Sequence, residues 1–281
     1  MDGFPKAPSQ SNYKIGLAGC GKMGAAMLRA WLSAKIASQI HTLDPNGLPI
    51  DLLNEGKITH HANAHSFLAA APSLDMLVIA IKPQTLNDFA LDVRDHLHSK
   101  LCILSIAAGQ TIAGYHARFG GMQPVIRAMP NLPASIGKGM TVACASETVV
   151  PERMQCAHDL LSSFGLVEWT ADESKLDAVT AVSGSGPAYV FLLIESLAEA
   201  GVKAGLEKDF AMTLARQTVI GSAALAEHDT KTPPAKLRDD VTSPNGTTAA
   251  ALAVLMKDGK FQELIDKAIA AATARSKELS N

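Results

Sequence analysis

The chain has 281 residues, 47% of them hydrophobic and 19% charged, with a formal net charge of -2. That length holds one large domain or two ordinary ones with ample core. The balance gives no electrostatic basis for nucleic-acid binding, and no apolar run reads as long enough to span a membrane.

Residues Met1 to Asn12 are polar, carry Pro5 and Pro8, and lack the apolar centre of a signal peptide, so a flexible tail is expected. Lys14 to Ala18 reads as a strand ending in glycines. Met23 to Ala37 then has helical spacing, with Met23, Met27, Ala30, Trp31 and Ala34 on one stripe. Gln39 to Leu43 is a second strand, closed by the turn Asp44-Pro45-Asn46-Gly47. The apolar runs Met76 to Ile81 and Leu101 to Ile106 are strands, as are Val125 to Met129 and Met140 to Cys144. Strand–helix alternation with strands apolar on both faces predicts an α/β fold, a parallel sheet with helices on each side.

After Trp169 the pattern becomes helical. Val190 to Ala204, Lys208 to His228 and Thr247 to Leu279 read as long helices rich in alanine. The expected division is 1–12 tail, 13–168 sheet domain and 169–281 helical domain. Small-residue helices of this kind pack closely, either in a monomeric bundle or against a second subunit.

Gly19-Cys20-Gly21-Lys22-Met23-Gly24 is a G-x-G-x-x-G between a predicted strand and a predicted helix. The first glycine suits a tight turn, the second lets backbone approach a pyrophosphate, and the third lets helix pack on strand. Dinucleotide binding is one reading and a merely tight strand–helix turn the other. Asp44, at the end of the second strand, stands where an acid accepts hydrogen bonds from an adenine ribose. It would repel a 2′-phosphate, which favours NADH at least as much as NADPH, or it only caps its turn. Cys20 lies near a helix start that can lower a thiol pKa, so its oxidation would block the loop. Otherwise the four cysteines, Cys20, Cys102, Cys144 and Cys156, form no C-x-x-C pair and read as reduced, buried thiols.

A second loop, Asp240 to Thr248, runs Asp-Val-Thr-Ser-Pro-Asn-Gly-Thr-Thr into an alanine-rich helix. Main-chain N–H groups at that start, with the hydroxyls of Ser243, Thr247 and Thr248 and no Lys or Arg, suit a small carboxylate better than a polyphosphate. The alternative is ordinary N-cap chemistry. Ser183-Gly184-Ser185-Gly186-Pro187 is another small-residue turn opening a helix, suited to a ligand, a partner subunit or a tight corner. His60, His61 and His65 include an i, i+4 pair without a completing Cys or acid, so an exposed cluster is expected and no metal site. Arg127 either touches an anion or fixes its turn.

These segments together resemble the pyrroline-5-carboxylate reductase family. The resemblance rests on Leu77 to Gln84, Ser105 to Gly109, Ile126 to Pro133, Ala181 to Tyr189 and Val241 to Thr248, in order and spacing, and covers about residues 14 to 279. It implies an N-terminal Rossmann-type domain and an all-α C-terminal dimerisation domain. It implies reduction of 1-pyrroline-5-carboxylate to L-proline by NADPH or NADH, as the last step of proline biosynthesis; the scattered cysteines, read as reduced thiols, set the expected location in the cytoplasm. It also implies homodimers, in many members five to a decamer, with the cofactor of one subunit facing the substrate loop of its partner.

By the same resemblance the glycine loop holds pyrophosphate and Asn63 approaches the adenosine phosphate side. Ala80, Lys82 and Pro83 underlie the cofactor, and Ala107, Ala108 and Gly109 lie beside the nicotinamide. Ser183, Ser243 and Gly246 belong to the substrate side. The amides of Thr247 and Thr248 clamp the carboxylate, and the Thr248 hydroxyl faces the substrate nitrogen. Lys22 stands where the family often has Asn, and Thr230-Lys231 where many members carry an acid. Other readings are a 3-hydroxyacid dehydrogenase or imine reductase, or a non-catalytic dinucleotide-binding regulator. The 3-hydroxyacid enzymes use a lysine on the first long helix of the second domain, and Val190 to Glu199 contains none.

Overall fold

A computed structural model describes residues 13–69 and 71–280, so the expected tail lies outside the described residues. The chain divides into two compact units, residues 13–184 with 273–280, and residues 185–272.

The first unit is built on an eight-stranded sheet: β1 (Tyr13–Ala18), β2 (Ala37–Leu43), β3 (Ile58–His61), β4 (Met76–Ile79), β5 (Cys102–Ser105), β6 (Val125–Met129), β7 (Gly139–Ala145) and β8 (Gly165–Trp169). Their order is β3-β2-β1-β4-β5-β6-β7-β8. Every pair is parallel except β6 with β7. β4 and β5 are buried along their whole length, as strands covered on both faces must be. On one face lie α1 (Lys22–Ala34) and α5 (Pro151–Ser162), around Met27, Trp31, Leu160 and Phe164. Trp31 is wholly buried and donates its indole N–H to Leu160 O at 3.0 Å. Truncating so large a core side chain costs about 3–5 kcal/mol. On the other face lie α2 (Ala64–Leu68), α3 (Leu86–Val93) and α4 (Ile112–Phe119), around Phe67, Phe89, Tyr115 and Phe119.

Several elements differ from the sequence expectation. α1 stops at Ala34 and not at Ala37, because Lys35 takes the left-handed conformation (φ 54°) and its N–H turns back to Leu32 O. β3 and β8 were not foreseen; both are edge strands with polar residues and weak alternation. After β8, α6 (Lys175–Val179) and a π turn over Thr180–Gly184 are helical yet pack with the sheet unit. The packing boundary therefore falls after Gly184 rather than at residue 168.

The second unit is helical throughout: α7 (Gly186–Lys203), α8 (Lys208–His228), α9 (Pro234–Asp240), α10 (Thr247–Leu255) and most of α11 (Lys260–Ser280). The single helix expected over Thr247 to Leu279 is broken at Asp258, which has φ 55°. α7 and α8 pack through small residues, with Gly201 against Ala211. Across residues 185–272 only Ala198, Ala211 and Ala215 are buried. Phe191, Leu192, Phe210, Leu225, Val254 and Leu264 are all more than half exposed. A unit of that size cannot be stabilised by three alanines, and so much exposed apolar surface marks an interface. By length and composition alone, the run Lys175–Lys203 is apolar enough to cross a membrane. Its alanines and leucines are interrupted by acids at Glu195 and Glu199.

Candidate functional site

The carboxyl ends of β1, β2, β4 and β5 bring most of the expected cofactor residues to one edge of the sheet. This is where open α/β sheets bind ligands. Gly19 has φ +98°, and a Cβ there would lie 2.6 Å from Ala80 O, so only glycine fits between the first and fourth strands. Its N–H donates to Leu43 O at 2.8 Å. Gly24 lies directly on Gly19 O, which lets α1 pack on the loop, and Gly21 faces open space. Gly21 is the N-cap of α1 and provides no side-chain cap, so the Lys22 and Met23 amides at the helix start suit a phosphate. A cavity of about 580 Å³ opens here, lined by Gly21, Lys22, Met23, Arg29, Leu132 and Ser135. These features fit a dinucleotide pyrophosphate.

Cys20 contributes differently from expectation. Its main-chain N–H donates to Asp44 Oδ2 at 2.7 Å and is therefore committed within the protein. Burial, with the Asp44 charge second, pushes its thiol up to about 12, opposite to the lowering considered from the helix start. Asp44 Oδ1 accepts from Asn46 N at 2.8 Å. Asp44 therefore shapes both its own turn and the glycine loop. Asn63 is exposed at the same edge and caps α2, its Oδ1 accepting from Ser66 N at 3.0 Å. Lys82 is exposed, and Pro83 opens a short 3₁₀ turn after β4.

The segment Ala107 to Gly109, expected beside a nicotinamide, is held from beneath. Ala107 N donates to Ser105 Oγ at 3.1 Å, and that hydroxyl is hydrogen-bonded to the buried Tyr115 OH. Burial pushes the Tyr115 phenol up to about 12, so it stays protonated. Ala108 is exposed. Gly109 packs against Leu279 O in the last turns of α11. Nearby, Ser276 Oγ donates to Asp177 Oδ1 at 2.7 Å.

Arg127 is not available to an anion. It is buried and pairs with Glu173 Oε1 at 3.0 Å, which also accepts Ile112 N at 2.8 Å. His61 and His65 lie on different elements and do not make a helical pair. His61 is half-buried, stacks on His41 and shares a 3.1 Å hydrogen bond with it, while His60 bonds Thr42 Oγ1 at 3.0 Å. The exposed cluster expected from sequence is thus an ordered pair of contacts across β2 and β3. Among the described residues no group of three metal-ligating side chains comes together.

In the second unit, Asp239 O accepts Thr242 N at 3.0 Å and Arg238 O accepts Thr242 Oγ1 at 2.7 Å, closing α9. Ser243 O then accepts Gly246 N at 3.0 Å across a turn in which Asn245 has φ 58°. Gly246 is the N-cap of α10 and offers no side-chain cap. The first amides of α10, at Thr247 and Thr248, and their hydroxyls are thus arranged at an uncapped helix start.

Sequence reading missed Asn131, which follows β6 at the sheet edge that carries the glycine loop. Its Oδ1 accepts Met140 N at 2.9 Å, and its Nδ2 donates to Ser183 O and Ser183 Oγ, each at 3.2 Å. The only sequence signal was its place in Arg-Ala-Met-Pro-Asn.

Residues 173–279 match the family model for pyrroline-5-carboxylate reductase dimerisation, and residues 14–109 match that for NADP oxidoreductase, coenzyme F420-dependent. The pyrroline-5-carboxylate reductase of Pseudomonas aeruginosa is 37% identical over 96% of this chain and 98% of its own length. That of Synechocystis is 39% identical over 95% and 98%. Among solved structures, the Coxiella burnetii pyrroline-5-carboxylate reductase superposes with TM-score 0.86 at 33% identity, covering 97% of this chain and all of that one. The Plasmodium falciparum pyrroline carboxylate reductase, solved with NADP bound, gives 0.81 at 29% identity, covering 97% and 100%.

Proposed function

The chain belongs to the pyrroline-5-carboxylate reductase family, and from that premise we infer that it reduces the C=N bond of 1-pyrroline-5-carboxylate to give L-proline. It is a homo-oligomeric NAD(P)H-dependent oxidoreductase acting in proline biosynthesis. The observation that carries the reading is that two loops of this chain end in uncapped helix starts. One is built of glycines and the other carries paired threonines. The first suits a pyrophosphate and the second a small carboxylate.

When bound, the nicotinamide supplies the hydride. The Lys22 and Met23 amides hold the pyrophosphate, and Asp44 faces the adenine ribose. Asn63 serves the adenosine phosphate side, and Lys82 and Pro83 close the strand end beneath it. Ala107, Ala108 and Gly109 form the wall beside the reacting ring, kept in shape by Ser105 and Tyr115. Ser243, Gly246 and the amides of Thr247 and Thr248 hold the substrate carboxylate. Fixing the ring in this way supplies several kcal/mol of the barrier. The imine nitrogen gains a proton as its carbon gains hydride. Thr248 is too weak an acid to be the source, so its hydroxyl orients the iminium or relays a proton from water.

In functional terms, residues 13–168 serve the cofactor and 169–281 the substrate and the dimer. The bare apolar faces of α7 and α8 are the subunit contact, and the substrate loop of one subunit serves the cofactor of its partner. Five dimers form a decamer, and the enzyme works in the cytoplasm. Incubating the protein with 1-pyrroline-5-carboxylate and NADH or NADPH should yield proline as the absorbance of the reduced nucleotide is lost. No proline with either nucleotide would end this reading.

A further inference from the structure

Asn131 joins three segments that are far apart in sequence: the end of β6, the start of β7 and the π turn before α7. Its orientation is fixed. Met140 N–H can only donate, so the atom facing it must be the side-chain carbonyl oxygen, and the amide group must face Ser183. An amide NH₂ has no acceptor, so Ser183 Oγ accepts from it, and Ser183 O accepts as well. The Ser183 O–H is thereby left as a donor, with no protein acceptor among the described residues. Donation into a hydroxyl also strengthens that hydroxyl as a donor.

The backbone around Ser183 is specified to match. Thr180–Gly184 is a π turn, a form that concentrates at functional sites. Its Thr180 hydroxyl is tied to Leu176 O at 2.7 Å, and Gly184 packs on Met129 at the end of β6. Ser183 is half-buried, and Asn131 leaves the sheet at the edge that carries the glycine loop and Ala107.

We propose that Asn131 is a positioning residue that turns the Ser183 hydroxyl into a one-way hydrogen-bond donor for an oxygen acceptor in the active site. That acceptor is either the nicotinamide carboxamide or the substrate carboxylate. This rests on the reductase reading above. It gives the Ser183 hydroxyl a direction, and it adds Asn131 as a residue that acts only through it.

The test exploits the shape of Asn131→Asp. The carboxylate still accepts Met140 N–H, but it now accepts from Ser183 as well, which reverses the hydroxyl and removes the donor. Asn131→Asp and Ser183→Ala should each lower kcat/KM about ten- to a hundredfold. The double variant should lose less than the product of the two single losses, because both changes remove the same hydroxyl donor, while the loss of the Asn131 Nδ2 to Ser183 O bond belongs to Asn131→Asp alone. Ser183→Thr should retain most activity. Equilibrium NADPH binding, followed by nucleotide fluorescence without substrate, separates the acceptors. Binding weakened in Ser183→Ala identifies the carboxamide; unchanged binding with a raised KM for 1-pyrroline-5-carboxylate identifies the carboxylate. Wild-type kinetics and NADPH binding for Ser183→Ala would overturn the proposal, as would losses in the two single variants that multiply in the double. If the unaltered enzyme makes no proline, the reductase reading fails instead.

Discussion

The Cys20 main-chain N–H and the Asp44 carboxylate meet at 2.7 Å, so the acid at the end of β2 is also the anchor of the glycine loop. Asp44→Ala should therefore act on both nucleotides through the loop and additionally on NADH through the ribose. We expect KM to rise about tenfold or more for each, near the loss of one charge-assisted hydrogen bond. The NADPH/NADH preference should also shift toward NADPH as repulsion of the 2′-phosphate disappears. Steady-state kinetics with both nucleotides measure this. An unchanged preference would remove Asp44 from the ribose while leaving its part in the loop.

The same contact bears on the thiol. Burial and the neighbouring carboxylate keep Cys20 protonated, and the other three cysteines are buried and free. Iodoacetamide at pH 8 should leave activity intact over the time in which the denatured chain is fully alkylated. Rapid loss of activity with label on Cys20 would show that the loop opens in solution.

Thr248 stands at the uncapped start of α10. Thr248→Ala should lower kcat/KM by about one to two orders of magnitude, with Thr248→Ser recovering most of it. Kinetics equal to the unaltered enzyme would take Thr248 out of the chemistry and leave its amide as the only contribution.

Arg127 is 6% exposed at its side chain and Glu173 27%, and Glu173 also accepts the first N–H of α4. Glu173→Ala strands a buried guanidinium and an amide together, at a cost of about 3–5 kcal/mol. Thermal unfolding at fixed chain concentration should show a fall of several degrees, smaller for Glu173→Gln. Equal midpoints in all three proteins would mean that the pair is relaxed by water.

His41 and His61 are both held below the ordinary imidazole range, mainly by burial. Their shared hydrogen bond needs one ring nitrogen as acceptor. Below about pH 6.5 the unfolded chain binds more protons at these sites than the folded one, so stability falls as pH drops from there toward the folded values. Melting temperatures between pH 8 and 5 should decline less in His41→Phe than in the unaltered protein. Parallel curves would show that other groups set the acid limit.

Much of the fold was legible because its central strands are apolar on both faces and separated by turn residues. Met76 to Ile79 and Cys102 to Ser105 are examples. β3 escaped because Thr59, His60 and His61 sit at an edge, where packing imposes little alternation. The break at Asp258 escaped although Gly259 follows it, since the alanine periodicity resumes on either side. In the site, the glycine loop and the threonine turn announce themselves by local chemistry. Ser183 stood out in its small-residue turn, but its pairing with Asn131 did not, because the two are 52 residues apart and joined only by folding. Arg127 was ambiguous for the same reason: its partner is 46 residues away.

The helical unit of residues 185–272, with three buried alanines of its own, makes dilution a denaturant for this protein. Completing its core is a bimolecular event, so the yield of finished molecules depends on how often two nascent chains meet. Melting points and half-lives then have meaning only beside a stated subunit concentration. A substitution on α7 or α8 that leaves every intrachain contact untouched can still extinguish activity at the low end of that scale.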